Sequence, residues 1–246
     1  MLSGTELIIA LAIIFVGATV MGTVGFGLGL LVSPVLLLFI EPQPVVVMAN
    51  SLMAILLIFV LLHTRRHLDI RQIGTMALGG VAAVPIGVLA LDLASPATLR
   101  ITIAVVLLSL APLTVLKVRL PFATHPLSGP TIGFLTSLSV TTLSIGGPLA
   151  AIYVIAQRWP TPKMRASLAL FFLSSNVVAF VLYTWAGLVD RQTLANIGVL
   201  IPSLLLGFGL ATLVVRRIDP RVFGYVATTV IIVGGGVLLG REIAGL

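Results

Sequence analysis

Residues 22–29 read GTVGFGLG and lie in the middle of an apolar segment that spans residues 7–40. A continuous helix of that length would exceed the roughly 30 Å hydrocarbon core of a bilayer by more than half. Glycine lowers helix stability, so the four glycines in this stretch predict a break here. The segment must therefore either tilt strongly or fold as two helices.

A second apolar segment, residues 127–156, carries a similar interruption, which reads TTLSIGGP at residues 141–148. Pro148 suits the first residue of a new helix, because that position needs no backbone N–H. We therefore predict that both segments are broken or re-entrant. Each opens a group of four apolar segments, which span residues 7–40, 45–62, 73–91 and 99–116, then 127–156, 164–188, 194–215 and 222–239.

The composition is that of an integral membrane protein. Hydrophobic residues make up 59% of the chain, charged residues only 9%, and the mean hydropathy is +1.24, whereas soluble domains are about 25% charged. The sequence has no cysteine, which excludes disulfides, thiolate metal sites and thiol catalysis. The net charge of +7 is spread singly or in small groups between apolar segments, so it indicates membrane topology rather than a nucleic-acid surface.

The two groups of segments have similar Pro, Gly and Asp features in the same order, which predicts an internal duplication. The repeats would be residues 1–120 and 121–246, together forming one membrane domain. The matched features are Ser33-Pro34 with Gly147-Pro148, Pro42-Gln43-Pro44 with Pro160-Thr161-Pro162, Leu68-Asp69 with Val189-Asp190, Gly80, Pro85 and Gly87 with Pro202, Gly207 and Gly209, and Ser95-Pro96 with Asp219-Pro220.

The distribution of basic residues distinguishes between two topologies, because Lys and Arg are enriched in cytoplasmic loops. If each opening segment crosses the membrane once, the 14 basic residues divide evenly between the two sides. If each folds back to the side it came from, only Arg100, Arg191 and Arg241 are left on the minority side. We therefore predict an all-α protein of a bacterial inner membrane with two inverted repeats. Each repeat has a broken or re-entrant first segment followed by three transmembrane helices, and both termini are periplasmic.

The two breaks are the first candidate for a binding site. A helix N-terminus presents unpaired N–H groups and a partial positive charge, so it binds anions without a basic side chain. In inverted repeats the two breaks would face each other near the midplane. Alternatively, these small residues only let helices pack closely, a reading that covers Gly207 and Gly209. The candidate residues are Gly25, Gly27, Gly29 and Ser33 at the first break, and Thr141, Thr142, Ser144, Gly146 and Gly147 at the second.

Polar residues within the apolar segments are the second candidate. Asn50, Ser51 and Asn176 are costly in a membrane unless paired, so they either line a pathway or join two helices. We favour pathway lining for Asn50 and Asn176. Tyr153 could offer its hydroxyl to a substrate or lie at the membrane interface.

Other chemistries find no support in the sequence. Every acidic residue falls at a segment end, the three histidines do not form a metal-ligand pattern, and no nucleophile, base and acid converge in one segment. No P-loop is present, and the loops are too short for an ATPase domain. We therefore expect no enzyme activity, no metal and no cofactor.

The residues quoted above carry a resemblance to the sulfite exporter TauE/SafE family of membrane permeases. The chain resembles that family in its tandem arrangement, in the glycine-rich stretch running into Pro34, in SIGGPLAAIY at residues 144–153 and in KMRAS at residues 163–167. It differs in having hydrophobic residues between Gly25, Gly27 and Gly29, where the family's glycine cluster is denser. The resemblance implies transport of sulfite, sulfoacetate or related sulfonates, usually as export.

The sequence thus predicts a secondary transporter or uniporter that exports a small sulfur oxyanion by alternating access between the repeats. An anion channel and a non-transporting anchor subunit are the alternatives, and an intramembrane enzyme ranks last. The expected partners are a small anion and the lipid bilayer, with a homodimer left open and no nucleic acid.

Overall fold

The computed structural model describes residues 4–115, 127–157 and 159–214, together with Leu2, His125 and Gly240. The described residues form helices and no strand, as expected for an all-α protein. The eighth predicted segment, residues 222–239, lies outside the described part. The helices are α1 (Gly4–Val24), α2 (Leu28–Leu36), α3 (Pro42–Thr64), α4 (Ile70–Leu93), α5 (Pro96–Val115), α6 (Ser128–Leu143), α7 (Gly147–Ala156), α8 (Thr161–Trp185) and α9 (Arg191–Val214), with a 3-10 turn at Arg65–His67.

Five of the described helices are long and apolar enough to cross a membrane, which confirms the predicted class of integral membrane protein. Proline and aspartate set several of their starts. Pro42 occupies the first turn of α3, where its missing N–H costs nothing. Asp190 precedes α9 and accepts a hydrogen bond of 2.6 Å from the Thr193 N–H. These proline and aspartate residues, which separate the apolar segments in the sequence, therefore mark helix boundaries in the structure.

Both predicted breaks are present. The first lies between α1 and α2, where Gly25 and Gly27 have φ angles of 96° and 108°. The second lies between α6 and α7, where Ser144 has a φ of 60°. These are left-handed conformations, which end a helix and favour glycine.

The arms of the first broken segment differ from the two half-helices that the folded-back topology implies. The first arm, α1, has 21 residues and is long enough to cross a bilayer alone, whereas α2 has nine. Gly17 and Gly22 do not interrupt α1. Each lies where another helix packs closely, Gly17 against Val32 and Gly22 against Ala211, so their packing offsets the low helix propensity of glycine.

Each break is the tip of a helical hairpin. A Cβ on Gly17 of α1 would lie 3.1 Å from Val32 Cγ2 of α2, so α2 runs back along α1. A Cβ on Gly129 of α6 would lie 3.1 Å from the Tyr153 hydroxyl of α7, so the second hairpin folds back as well.

Helices α3 and α8 form the antiparallel centre of the bundle. Asn50, near the start of α3, bonds Tyr183 near the end of α8 at 2.9 Å, and Asn176 Nδ2 lies 3.6 Å from Met53 Sδ at mid-height. Around this pair, α1 packs on α9 and α6 packs on α4, so each hairpin contacts a helix of the other half. This arrangement is compatible with an inverted duplication, which stays a prediction.

Two details of the sequence analysis, the pairing of Pro34 with Pro148 and the close packing of Gly209, differ from the structure. Pro34 lies inside α2, whereas Pro148 lies in the first turn of α7, so the two prolines are not equivalent. The helix starts instead pair Leu28 with Gly147. Gly207 packs against the Phe15 carbonyl as a close-packing glycine should, but a Cβ on Gly209 would meet open space.

An ion pair shows which loops share an end of the bundle. Lys163 Nζ, on the first turn of α8, lies 3.0 Å from Asp69 Oδ2, which precedes α4. A single crossing by each opening segment would put these two residues on opposite faces of the membrane. The contact therefore supports the folded-back arrangement. We call this end, residues 65–71 and 159–165, the basic end.

The opposite end is joined by other contacts. Gln43 Nε2 donates to the carbonyls of Leu91 at 3.4 Å and Ala94 at 3.5 Å. The Leu2 N–H donates to Asn196 Oδ1 at 3.0 Å, which places the start of α1 beside the start of α9. We call this end, residues 4–6, 41–43, 92–100 and 186–191, the acidic end.

Candidate functional site

A small, partly open cavity lies where the two breaks meet. Met53 and Phe172 contribute to it from near the middle of α3 and α8, so the cavity lies at mid-height in the bundle. Its interior volume is about 10 Å³, which admits roughly one water molecule in this conformation. Its lining consists of Phe26, Gly27, Gly29, Leu30, Met53, Val140, Ser144, Gly146, Gly147 and Phe172.

The two breaks touch each other directly. A Cβ on Gly29 would lie 1.9 Å from the Ser144 carbonyl oxygen, and a Cβ on Gly147 would lie 2.5 Å from the Phe26 ring. No side chain fits at either glycine without movement of its neighbour. The glycines therefore allow backbone groups of both breaks to reach one small space.

The cavity receives the first turns of two helices. Gly27 is the N-cap of α2, and Gly146 is the N-cap of α7. The first N–H groups of a helix have no acceptor within that helix and carry a partial positive charge. Pro148 removes one donor from α7, which leaves the N–H groups of its glycines and of Leu149. The other lining side chains are largely apolar, so few polar side chains compete with these N–H groups for a ligand.

Asn50 anchors the second break instead of facing the cavity. Its Nδ2 donates to the Val140 carbonyl and to the Tyr183 hydroxyl, both at 2.9 Å. Its Oδ1 accepts from Ser144 Oγ at 3.0 Å, and the Tyr183 hydroxyl donates to the Thr141 carbonyl. Because protein groups use both of its N–H donors and its oxygen accepts from Ser144, Asn50 holds Ser144 in its left-handed conformation.

Asn176 lies directly behind two residues of the lining. Its Nδ2 donates to the Phe172 carbonyl at 2.8 Å and approaches Met53 Sδ. A carbonyl oxygen can only accept, so this bond fixes the orientation of the amide. Asn176 Oδ1 is buried and has no partner in the described structure. Asn176 thus keeps an unused acceptor next to the cavity.

Three further predicted hydroxyls lie outside the lining. Ser51 Oγ donates to the Val47 carbonyl and Thr141 Oγ1 to the Ser137 carbonyl, both at 2.7 Å and both within their own helix. Thr142 Oγ1 donates to the Gly87 carbonyl at 3.1 Å and so joins α6 to α4. These hydroxyls are used in helix packing in this conformation.

The remaining predicted residues are divided between the site and its surroundings. Ser33 is fully buried on α2, one turn beyond Gly29, and its Oγ has no partner among the described residues. Gly25 forms the bend before the cavity and packs against Arg165 of α8. Tyr153 lies against Gly129, away from the cavity lining.

The sequence reasoning missed Arg165 as a site residue and treated it as a loop charge. The structure places it within α8, where its Nη2 donates to the Gly22 carbonyl at the end of α1. A basic residue inside a helix long enough to span a membrane is the signal that could have identified it. The aromatic lining and the anchoring role of Tyr183 were missed as well, because neither has a local signature.

One of three comparisons with known proteins finds a match. No curated protein and no solved structure matches the chain. The model of the sulfite exporter TauE/SafE family, whose members are membrane transporters of sulfur anions, matches residues 9–238. Because this match covers nearly the whole sequence, the chain belongs to the sulfite exporter TauE/SafE family.

Proposed function

We propose that the chain is a uniporter that exports sulfite or a small organosulfonate across the inner membrane, with the cavity between the two breaks as its substrate site. The observation that carries this proposal is the meeting of two helix N-termini in one cavity at mid-height. Their N–H groups supply donors for several oxygens of an oxyanion. The apolar walls strengthen this electrostatic attraction because they exclude water.

The charges at the two ends support the direction. Among the described residues, the basic end has five basic side chains against Asp69 alone, namely Arg65, Arg66, Arg71, Lys163 and Arg165. The acidic end has Arg100 and Arg191 against Glu6, Glu41, Asp92 and Asp190. The positive-inside rule places the basic end in the cytoplasm, where its field would draw anions from the cell interior towards the cavity.

A uniporter needs no coupling ion for export. None of the ten lining residues is ionisable. An inside-negative potential already drives an anion outward by about 2.3 kcal/mol per charge for each 100 mV. Such a potential supports a concentration ratio of roughly fifty for a monoanion.

Alternating access would come from movement of the two hairpins against α3 and α8. The hairpin tips meet at Gly29 and Ser144, and each hairpin also packs on a helix of the other half. Separation of the tips towards one end at a time would open the cavity to that side only. The proposal therefore requires saturable flux.

The test is flux in proteoliposomes under an imposed potential, with sulfite, thiosulfate, sulfate, sulfoacetate and chloride offered separately. We expect saturable, potential-dependent flux of at least one sulfur oxyanion and little flux of chloride. Non-saturating flux that includes chloride would identify an anion channel instead. Absence of both flux and binding for every anion would favour the anchor-subunit alternative.

A further inference from the structure

Arg165 is the residue of the basic end that lies closest to the cavity along α8. It is seven residues before Phe172 on α8, so along the helix axis it lies about 10 Å from the level of the cavity. A Cβ on Gly25 would lie 3.5 Å from the Arg165 Cα, so α8 touches the first break at this point. Arg165 therefore lies nearer than the cavity to the surface of the basic end.

The guanidinium of Arg165 is only partly used by the protein. Its Nη2 donates to the Gly22 carbonyl, while its Nε is buried and has no partner in the described structure. Lys163, two residues earlier, is paired with Asp69 at 3.0 Å and lies 5.3 Å from the Trp159 ring. No ion pair of Arg165 with a carboxylate occurs among the described residues. Arg165 is thus a charged donor without a counter-ion at the edge of the first break.

A purely structural role of Arg165 explains the hydrogen bond of its Nη2 but not the burial of its Nε. A cation at the C-terminal end of α1 satisfies a free carbonyl and complements the helix dipole. That role accounts for Nη2 but leaves Nε desolvated without an acceptor, which is costly for a group that stays charged at every physiological pH. An oxyanion would supply both the missing acceptor and the missing negative charge.

We propose that Arg165 is the side chain that binds the oxyanion between the surface of the basic end and the cavity, before the anion reaches the N–H groups of the breaks. This inference rests on the proposed function and names its first side-chain contact. The planar guanidinium binds two oxygens of one ligand at once, which a halide cannot offer. Arg165 therefore favours sulfur oxyanions over chloride.

The test is equilibrium binding of radiolabelled sulfite to the purified full chain, with the unfolding temperature measured for each variant. Arg165→Gln keeps a donor for the Gly22 carbonyl but removes the charge, and Lys163→Gln is the matched control on the same helix. We expect sulfite affinity to fall about tenfold or more in Arg165→Gln and to change less than about twofold in Lys163→Gln. Arg165→Lys retains the charge without the planar fork, and it should lose preference for sulfite over chloride.

Each outcome decides the inference. If the unaltered chain binds sulfite and Arg165→Gln binds it equally well, Arg165 is only a helix cap. Equal losses in Arg165→Gln and Lys163→Gln would show a general field of the basic end and would also overturn the proposal. If Arg165→Gln fails to fold, unchanged selectivity in Arg165→Lys overturns it. Failure of the unaltered chain to bind any sulfur oxyanion overturns the proposed function itself.

Discussion

The Cα of Gly29 on α2 lies directly against the carbonyl of Ser144 at the end of α6, and a Cβ at position 29 would lie 1.9 Å from that oxygen. This contact joins the two breaks, which are far apart in the sequence. Gly29→Ala must therefore push the hairpin tips apart. We expect a loss of about 1–3 kcal/mol in stability and a clear fall in sulfite flux in proteoliposomes.

The matched control for this change is Gly209→Ala, because a Cβ on Gly209 meets open space. Gly209→Ala should keep full flux and should be as stable as the unaltered chain, or more stable by up to about 1 kcal/mol. Equal flux in the two variants would show that the contact between the breaks does not matter for transport.

Tyr183 is predicted to be a structural anchor of the second break. Tyr183→Phe removes the donor to the Thr141 carbonyl and the acceptor for Asn50 Nδ2. Leaving these buried groups unpaired should cost about 1–3 kcal/mol, measured as a lower unfolding temperature in detergent. Tyr153→Phe is the comparison, since its hydroxyl lies outside this network. The account of Asn50 is wrong if the two variants unfold alike.

The folded-back topology can be tested with single cysteines, because the natural sequence contains none. Arg66→Cys and Thr161→Cys should react with a membrane-impermeant maleimide from the same face, as the Lys163 to Asp69 contact requires. Glu41→Cys should react from the opposite face. Labelling of Thr161→Cys and Glu41→Cys from the same face would contradict the folded-back topology and support a single crossing by each opening segment.

Asp190 should stabilise the start of α9 in a pH-dependent way. Hydrogen bonds from the Thr193 side chain and from its backbone N–H hold the pKa of the Asp190 carboxyl below its ordinary value of 3.8. A lowered pKa means that the stabilisation is present above pH 3.8 and is lost as the pH falls through the lower, folded-state value. Asp190→Ala should cost about 0.5–1 kcal/mol at neutral pH.

The measurement for Asp190 is the unfolding temperature of both proteins from neutral to acidic pH. The gap between the unaltered chain and Asp190→Ala should close once the carboxyl is protonated. A gap that persists at acidic pH would mean that the carboxylate does not provide the stabilisation.

Much of the fold was predictable from local chemistry. Apolar runs near the length of a bilayer and the prolines and aspartates beside them mark the described membrane helices, and Pro42 and Asp190 lie within one residue of helix starts. The breaks were predictable for a similar reason, since Gly25 and Gly27 favour left-handed conformations that end a helix. The length of α1 was not, because packing against α9 keeps Gly22 helical.

Only the backbone part of the candidate site could be predicted from the sequence. Gly27, Gly29, Ser144, Gly146 and Gly147 were expected to come together, and they line one cavity. The side chains around them depend on contacts between distant segments, which leave no local pattern. Asn50 looks the same in sequence whether it faces a pathway or anchors Ser144. Arg165 looks like a loop charge until α8 is placed against the first break.

The central claim is that both breaks form one anion site, and equilibrium sulfite binding to a second-break variant tests it most directly. A Cβ on Gly146 would lie 2.5 Å from Val140 Cγ2, so Gly146→Leu must fill or distort the cavity. Gly198→Leu is the control, because Gly198 faces open space on α9. We predict that Gly146→Leu abolishes binding and that Gly198→Leu retains it. A folded Gly146→Leu variant that binds sulfite as tightly as the unaltered chain would contradict the account.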